Sequence, residues 1–260
     1  MLRSLHTAAS GMLAQQTHID VIAHNMANVS TTGFRRMRAE FQDLLYQESR
    51  APGARTASGA VVPVGLQVGG GVRPNATTLV HIQGALQQTG NSLDLAIEGN
   101  GFFQIQRPDG ETVYTRAGGF QLSPEGTLVT QDGMTVSPNI SIPQGATSIT
   151  VGADGTVSVT MPGSSEAQEV GRIELATFPA AGGLEAAGRG LYRATAASGQ
   201  ALVAAPGQEG TGTIAQGMLE GSNVEVVTEM IDLIASQRAY ELNHRVITAA
   251  DEMLRKATEG

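Results

Sequence analysis

Both ends of this chain carry apolar stripes at helical spacing, and two long striped termini restrict the available folds more than anything between them. From Leu2 the apolar or small residues fall at Leu2, Leu5, Ala9, Met12, Ile19, Ala23 and Met26, a three-four alternation broken only at Gln16. Such a seam is what one helix offers another in a coiled coil. About 27 residues at ~1.5 Å each make a rod on the order of 40 Å long. A helix of that length needs a partner.

The far terminus supplies one. Ser222-Asn223-Val224-Glu225 has the spacing of a capping box, in which hydroxyl and carboxylate each satisfy an amide of the first turn. One stripe then runs through Val224, Val227, Ile231, Ile234, Leu242, Val246, Ala249 and Met253, with the stem of Arg238 bridging its gap. Val226, Met230, Leu233, Tyr240 and Ile247 form a second. Acids gather at the start (Glu225, Glu229, Asp232) and Arg255 and Lys256 lie near the end, as the helix dipole favours. A helix of about 35 residues, apolar on more than one side, is predicted. A hairpin with the N-terminal helix uses only one stripe. The other is left for a larger intramolecular bundle or for self-association, and periodicity does not choose between them.

Between the helices, short runs of Val, Ile, Thr and Phe are separated by Asn100-Gly101, Asp109-Gly110, Glu125-Gly126, Asp132-Gly133 and Asp154-Gly155. These pairs tolerate the positive φ of tight turns, so the middle reads as short antiparallel strands. Residues 49–74 and 198–212 are rich in Gly, Ala and Pro; the first reads as a strand-like or extended connector with weak intrinsic order, and the pair brackets the β region. The expected fold is α+β, with terminal helices paired as a coiled-coil layer, an all-β central domain and an extended Gly/Ala/Pro connector. The expected division is 1–30 with 220–260 as the helical domain, 31–74 as junction and connector, and 75–219 as the β domain.

One segment interrupts this pattern. "HNMANVSTTGFRR", residues 24–36, ends the first helical stripe in a polar run closed by Gly-Phe and two arginines. Asn28 suits the left-handed backbone that ends a helix, and Gly33 frees the chain to turn. Arg35, Arg36 and Arg38 are followed by Glu40, Asp43 and Glu48, and read as a solvated, partly self-neutralised face that can reach acids on a neighbouring chain. Replacing Gly33 by Val is expected to damage assembly and leave the β region folded.

Function classes fall away in turn. A net charge of -8 argues against a nucleic-acid partner, because binding phosphate needs a basic surface. No cysteine is present, which removes disulfides, thiolate metal sites and thiol nucleophiles. Aromatic content of 4% with no Trp is lean for a compact enzyme. No apolar run approaches a bilayer span and no signal-peptide segment opens the chain, so the expectation is cytosolic residence or export without a cleavable signal. His18 and His24 are six apart, on different helical faces, which does not suit a zinc pair. Gly65 to Gly71 lacks the Gly-Lys-Ser/Thr ending of a phosphate loop, the Asp-Gly turns lack the alternating acids of a calcium loop, and there is no G-x-S-x-G elbow. No catalytic residue, cofactor or metal site is expected.

Several long motifs then resemble one family in order. "SLHTAASGMLAQQTHIDVIAHNMANVSTTGFRRMRAEFQDLLYQ", "DLAIEGNGFFQI", "YTRAGGFQLSPEGTLVTQDG" and "EGSNVEVVTEMIDLIASQRAYELNHRVITAADEML" resemble the bacterial flagellar rod and hook proteins across nearly the whole chain. The length and the segments "DLLYQESRAPGA" and "GLQVGGGVRP" are most similar to the distal rod type. Gly118-Gly119-Phe120 departs from the family, which often has an acid and Ser before the Phe.

The resemblance implies a rod subunit that carries torque across the periplasm, with paired terminal helices lining an export channel. Implied partners are further copies of the chain, proximal rod proteins, the hook protein, the surrounding ring proteins and the flagellar export apparatus. A proximal rod or hook subunit, and an oligomeric extracellular binding module, stay open as alternatives. The expected assembly surface is Leu5, Ala9, Met12, Ile19 and Met26 on the first helix, with Val227, Met230, Ile231, Leu233, Ile234, Tyr240, Leu242 and Ile247 on the last. The expected junction is Asn25, Asn28, Thr32, Gly33, Phe34, Arg35 and Arg36.

Overall fold

Two terminal helices frame a β-rich middle in the computed structural model, an α+β chain whose residues 2–51, 53, 64–163 and 166–259 the structure describes. Helix α1 spans Leu2–Ala27 and helix α2 spans Val226–Glu259. The chain divides into two compact units: one of residues 1–27, 37–78 and 225–260, the other of 28–36 and 79–224. The expected connector therefore splits, 31–36 going with the strands and 37–74 with the helices.

In the helical unit α1 and α2 lie side by side and antiparallel. Three contacts fix the register. A methyl added to Gly11 would lie 3.0 Å from Asn243 Nδ2, His18 Nδ1 and Ser236 Oγ are 3.0 Å apart, and Asn25 Nδ2 donates to Glu229 Oε2 at 3.2 Å. Numbers rise by seven on one helix and fall by seven on the other, so one face of each turns to its neighbour along its length.

The first helix ends where expected, but α2 begins differently from a capping box. Ser222 Oγ accepts from the amide of Val224, two residues on, and closes a small turn ahead of the helix. Glu225 then stands at the cap position, its carboxylate taking the Thr228 hydroxyl at 2.9 Å. The same residues are used, one turn out of phase, because the Ser hydroxyl reaches its own nearest amide first.

Residues of the expected junction and connector, read as strand-like or extended, make two ladders in this unit. Strand Met37–Asp43 pairs with Val72–Leu79, and Tyr46–Arg50 pairs antiparallel with Leu66–Gly69, with a bulge between Glu48 and Arg50. Residues 54–63, the middle of the expected connector, lie outside the described residues.

The other unit is built on a nine-stranded antiparallel sheet. Phe102–Gln106 lies at its centre, between Thr112–Thr115, Thr135–Ser137 and Leu175–Thr177. Smaller ladders join Ser148–Val151, Thr156–Thr160 and Ala167–Arg172, and pair Leu95–Glu98 with Thr213–Gln216. Phe103, Ile105, Val113, Val136, Ile173 and Leu175 are fully buried between them. The expected turn glycines do adopt positive φ: 84° at Gly110, 82° at Gly126, 78° at Gly133 and 82° at Gly155. Each is the fourth residue of a turn closed by its own amide, as Gly110 donates to Arg107 O at 2.9 Å, a type I turn with a left-handed glycine after it. Residues 198–212, expected as a linker, contain strand Leu202–Ala204 of the main sheet and belong to this unit.

Candidate assembly surface and junction

On α2 the side chains facing α1 are polar or small. Glu229, Ser236 and Ala250 are its buried residues, and α1 buries Ala8, Ala14, Ile22 and Asn25. Small side chains let two backbones approach, and the buried polar ones bond across the seam as described. The large apolar side chains point elsewhere. Val227 is 66% exposed, Ile231 60%, Ile234 48% and Leu242 62%, with Met230 and Tyr240 exposed beside them. Leu233 and Ile247, and Leu5, Ala9, Met12, Ile19 and Met26 on α1, are half-buried along the flanks.

Scoring a helix by hydrophobicity therefore finds the wrong seam for the hairpin. The stripe read as facing the other helix is offset from the residues that do. What remains is an apolar row at i, i+4, i+7 on an otherwise charged helix, a feature of surfaces that bind something.

The junction residues other than Thr32 are each placed by a specific bond. Asn25, at the end of α1 and 2% exposed, uses both ends of its amide on one backbone residue. Met37 N–H donates to Asn25 Oδ1 at 2.8 Å, and Asn25 Nδ2 donates to Met37 O at 2.9 Å. A side-chain amide thus acts as a strand partner for the start of Met37–Asp43. In the β unit Asn223 does the same for the residue before. Arg36 N–H donates to Asn223 Oδ1 at 2.7 Å, and Asn223 Nδ2 donates to the carbonyls of Val80 and Ile82 at 2.8 and 2.9 Å. Sequence reasoning saw Asn223 only as filler in a capping box.

Asn28 is not left-handed; in this segment that position belongs to Gly33, with φ 67°. Asn28 instead closes a turn, its carbonyl accepting from Thr31 N at 3.1 Å and its side-chain oxygen from the Thr31 hydroxyl at 3.1 Å. Thr32 and Phe34 are half-buried, and Phe34 N–H continues the turn by donating to Thr31 O at 3.2 Å. Gly33 donates its amide to Glu220 O at 2.7 Å. A Cβ there would stand 2.6 Å from Ala117 N and 2.7 Å from Arg116 C. Valine at 33 would thus collide with the β unit's own backbone, so the expectation that this unit stays intact does not hold.

The arginine cluster also differs from the expected solvated face. Arg38 pairs with Glu40 at the surface, at 2.6 Å, but Arg35 is 1% exposed and donates through Nη2 to Glu220 Oε1 at 2.7 Å. Glu220 is fully buried, also accepts from Gly84 N–H at 2.8 Å, and faces Arg116 Nε at 3.1 Å. Arg116 donates in turn to Gly101 O and Gly99 O at 2.9 and 2.7 Å. Burial, opposed by Glu220, lowers its pKa to about 10. No local pattern marks Arg35 for the interior, because its partner is 185 residues away.

Among the described residues no group of three or more His, Cys, Asp or Glu is arranged to hold a metal, and no helix is long and apolar enough to cross a membrane.

Three family models match the chain. They are the flagella basal body rod protein over residues 5–35, the flagellar hook protein FlgE/F/G D1 domain over 96–159, and the flagellar basal body rod FlgEFG protein C-terminal over 215–259. The first and last contain Asn25, Gly33, Arg35, Glu220, Asn223 and all of α2. The flagellar basal-body rod protein FlgG of Caulobacter vibrioides is 49% identical over 99% of each chain. FlgG of Borreliella burgdorferi is 46% identical, covering 98% of this chain and 97% of its own. FlgF of Caulobacter vibrioides is 37% identical, covering 100% of this chain and 98% of its own.

Proposed function

The chain belongs to the flagellar basal-body rod protein family, and from that premise we propose how its surfaces act. It is a structural subunit of the distal rod in the flagellar basal body, not an enzyme, and it assembles with other rod and hook proteins. Copies of the chain stack as a helical hollow tube that transmits torque from motor to hook. α1 and α2 form the inner coiled-coil layer around the channel. Proximal rod proteins, the hook protein and the surrounding ring proteins are its neighbours, and the flagellar export apparatus delivers it.

The observation that carries this reading is the outward row Val227, Ile231, Ile234 and Leu242, left exposed while the residues α2 buries, Glu229, Ser236 and Ala250, are polar or small. Fully burying a side chain of this size stabilises by about 1.5–3 kcal/mol, so half-exposed ones in one row gain on the order of 5 kcal/mol. Association costs about 4–15 kcal/mol in lost freedom. One helix-to-helix contact is therefore marginal, and a stable assembly needs several neighbours at once. A tube supplies them, since head-to-tail contacts that do not close on themselves continue as a filament.

Stiffness follows from the same geometry, because many small contacts act in parallel. The segment 47–74, with Leu66 and Val68 exposed on its second ladder, bridges neighbouring subunits. Deleting residues 51–71 should give filaments that bend; filaments as straight as the parent would remove that role.

The test of the assembly surface is a sedimentation assay on concentrated protein. The parent should pellet as filaments, and the double variant Ile231→Asp, Ile234→Asp should stay in the supernatant. Equal pelleting of both would exclude this row as the contact.

A further inference from the structure

The helical unit carries an apolar groove of about 530 Å³ where α1 begins. Leu44 and Leu45, from the bend before strand Tyr46–Arg50, and Val68 from its partner line the groove together with Arg3 and His6 of α1. Leu45 is 92% exposed, so nothing among the described residues covers this surface. Arg3 and His6 are its ionisable lining residues, and no carboxylate lines it. Arg3 also stands at a helix start whose first turn has no acid, the unfavourable pole for a cation. The groove is therefore apolar within and positive at its edge.

The opposite end of the same unit has the matching character. Val227, Ile231 and Ile234 stand exposed on the first turns of α2, and the charged residues from 225 to 237 are all acids: Glu225, Glu229 and Asp232. Glu229 is committed to Asn25, which leaves Glu225 and Asp232 near the row. Two such stretches packed on each other would gather acids with no base between them, an arrangement that like charges oppose. We propose that the groove receives the first turns of α2 from a second copy of the chain, Val227, Ile231 and Ile234 packing on Leu45 and Val68 with the acids toward Arg3. This rests on the reading above that the chain self-assembles through the α2 row, and it names the surface that covers it. The seam of the hairpin, with Asn25 beside Glu229 and Gly11 beside Asn243, continues to bring Ser4 level with Ala250. From Ile234 to Ala250 is 16 residues, on the order of 25 Å along the helix. Row and groove are thus different surfaces at different ends, so their contact is head to tail and repeats without closing.

The test is thiol cross-linking, which is clean because the chain has no cysteine of its own. The full-length double variant Leu45→Cys, Ile231→Cys is concentrated until it pellets, treated with a short bismaleimide and run on a denaturing gel. Within one chain the two thiols are too far apart for the reagent to bridge. The pellet should give a series of dimers, trimers and larger species, and the dilute supernatant monomer; Ile231→Cys alone should stay monomeric in its pellet. A pellet without the series would remove the groove as the partner and leave self-assembly standing, whereas failure of the parent to pellet would remove both. Dimers from Ile231→Cys alone as abundant as those of the double variant would mean that α2 meets α2, and would overturn the proposal. Leu45→Asp keeps the test decisive if the thiol variant does not pellet. It should raise the concentration needed for pelleting about tenfold or more and leave the melt of the unassembled chain unchanged; unaltered pelleting would overturn the proposal as well.

Discussion

Asn25 and Asn223 act at consecutive backbone positions: the Asn25 amide pairs with Met37, which begins a strand, and Asn223 Oδ1 accepts from the N–H of Arg36, the residue before it. Alanine at 25 would leave both Met37 N–H and C=O without these partners. At about 1–3 kcal/mol for each buried group left unsatisfied, Asn25→Ala should cost roughly 2–4 kcal/mol in urea unfolding of the unassembled chain. A loss below about 0.5 kcal/mol, typical of a surface change, would show the clamp to be unimportant. Gly33→Val should destabilise the β unit by about 3 kcal/mol or more, combining a left-handed β-branched residue with a backbone collision. Near-ultraviolet melting reads this through the buried rings of Tyr114 and Tyr192.

His81 gives a pH signature. Its folded pKa of about 4 lies below the ordinary 6.5 because the ring is buried and faces Arg35 and Arg116. The unfolded chain therefore takes up this proton at a higher pH than the folded one, and acid favours unfolding. The stability advantage of the parent over His81→Gln should be largest above about pH 6.5 and shrink as pH falls toward about 4. Thermal melts of both proteins at pH 7.5 and 4.5 check the sign; an advantage that grew in acid would contradict it.

At the scale of elements, α2 separates two roles that one helix usually merges. Its polar face holds the hairpin and its apolar face is left over. Ile231→Asp with Ile234→Asp should thus change the stability of the unassembled chain by only about 0.5 kcal/mol per site, as exposed substitutions do. Circular dichroism melts measure this independently of pelleting, and a large loss would mean that the row already packs within the chain.

The two helices and the glycine turns were legible because their signals are local: a period near 3.6, and a glycine following Asp, Asn or Glu. The ladders at 37–50 and 66–79 were not, since Gly, Pro and charged residues hide the alternation that marks a strand. The hairpin seam was missed for a related reason. Gly11, His18 and Asn25 are spaced by seven but are not hydrophobic, so a search for apolar residues passes over them. Arg35 looked like a surface arginine because nothing near it in sequence reveals Glu220.

For the whole molecule, the resemblance of the long motifs to rod and hook proteins extended from end to end, and the relatives bear it out over nearly every residue. The local geometry adds why such a chain cannot be content alone: its helices are paired through small and polar side chains together with Ile22, and the row Val227, Ile231, Ile234 and Leu242 is uncovered. Electron cryo-microscopy of filaments formed by the concentrated full-length chain tests this most directly. The account predicts straight hollow tubes in which Val227, Ile231, Ile234 and Leu242 of one subunit are buried against a neighbour along the inner wall. Tubes in which that row stays exposed to solvent, or a chain that remains monomeric at high concentration, would contradict it.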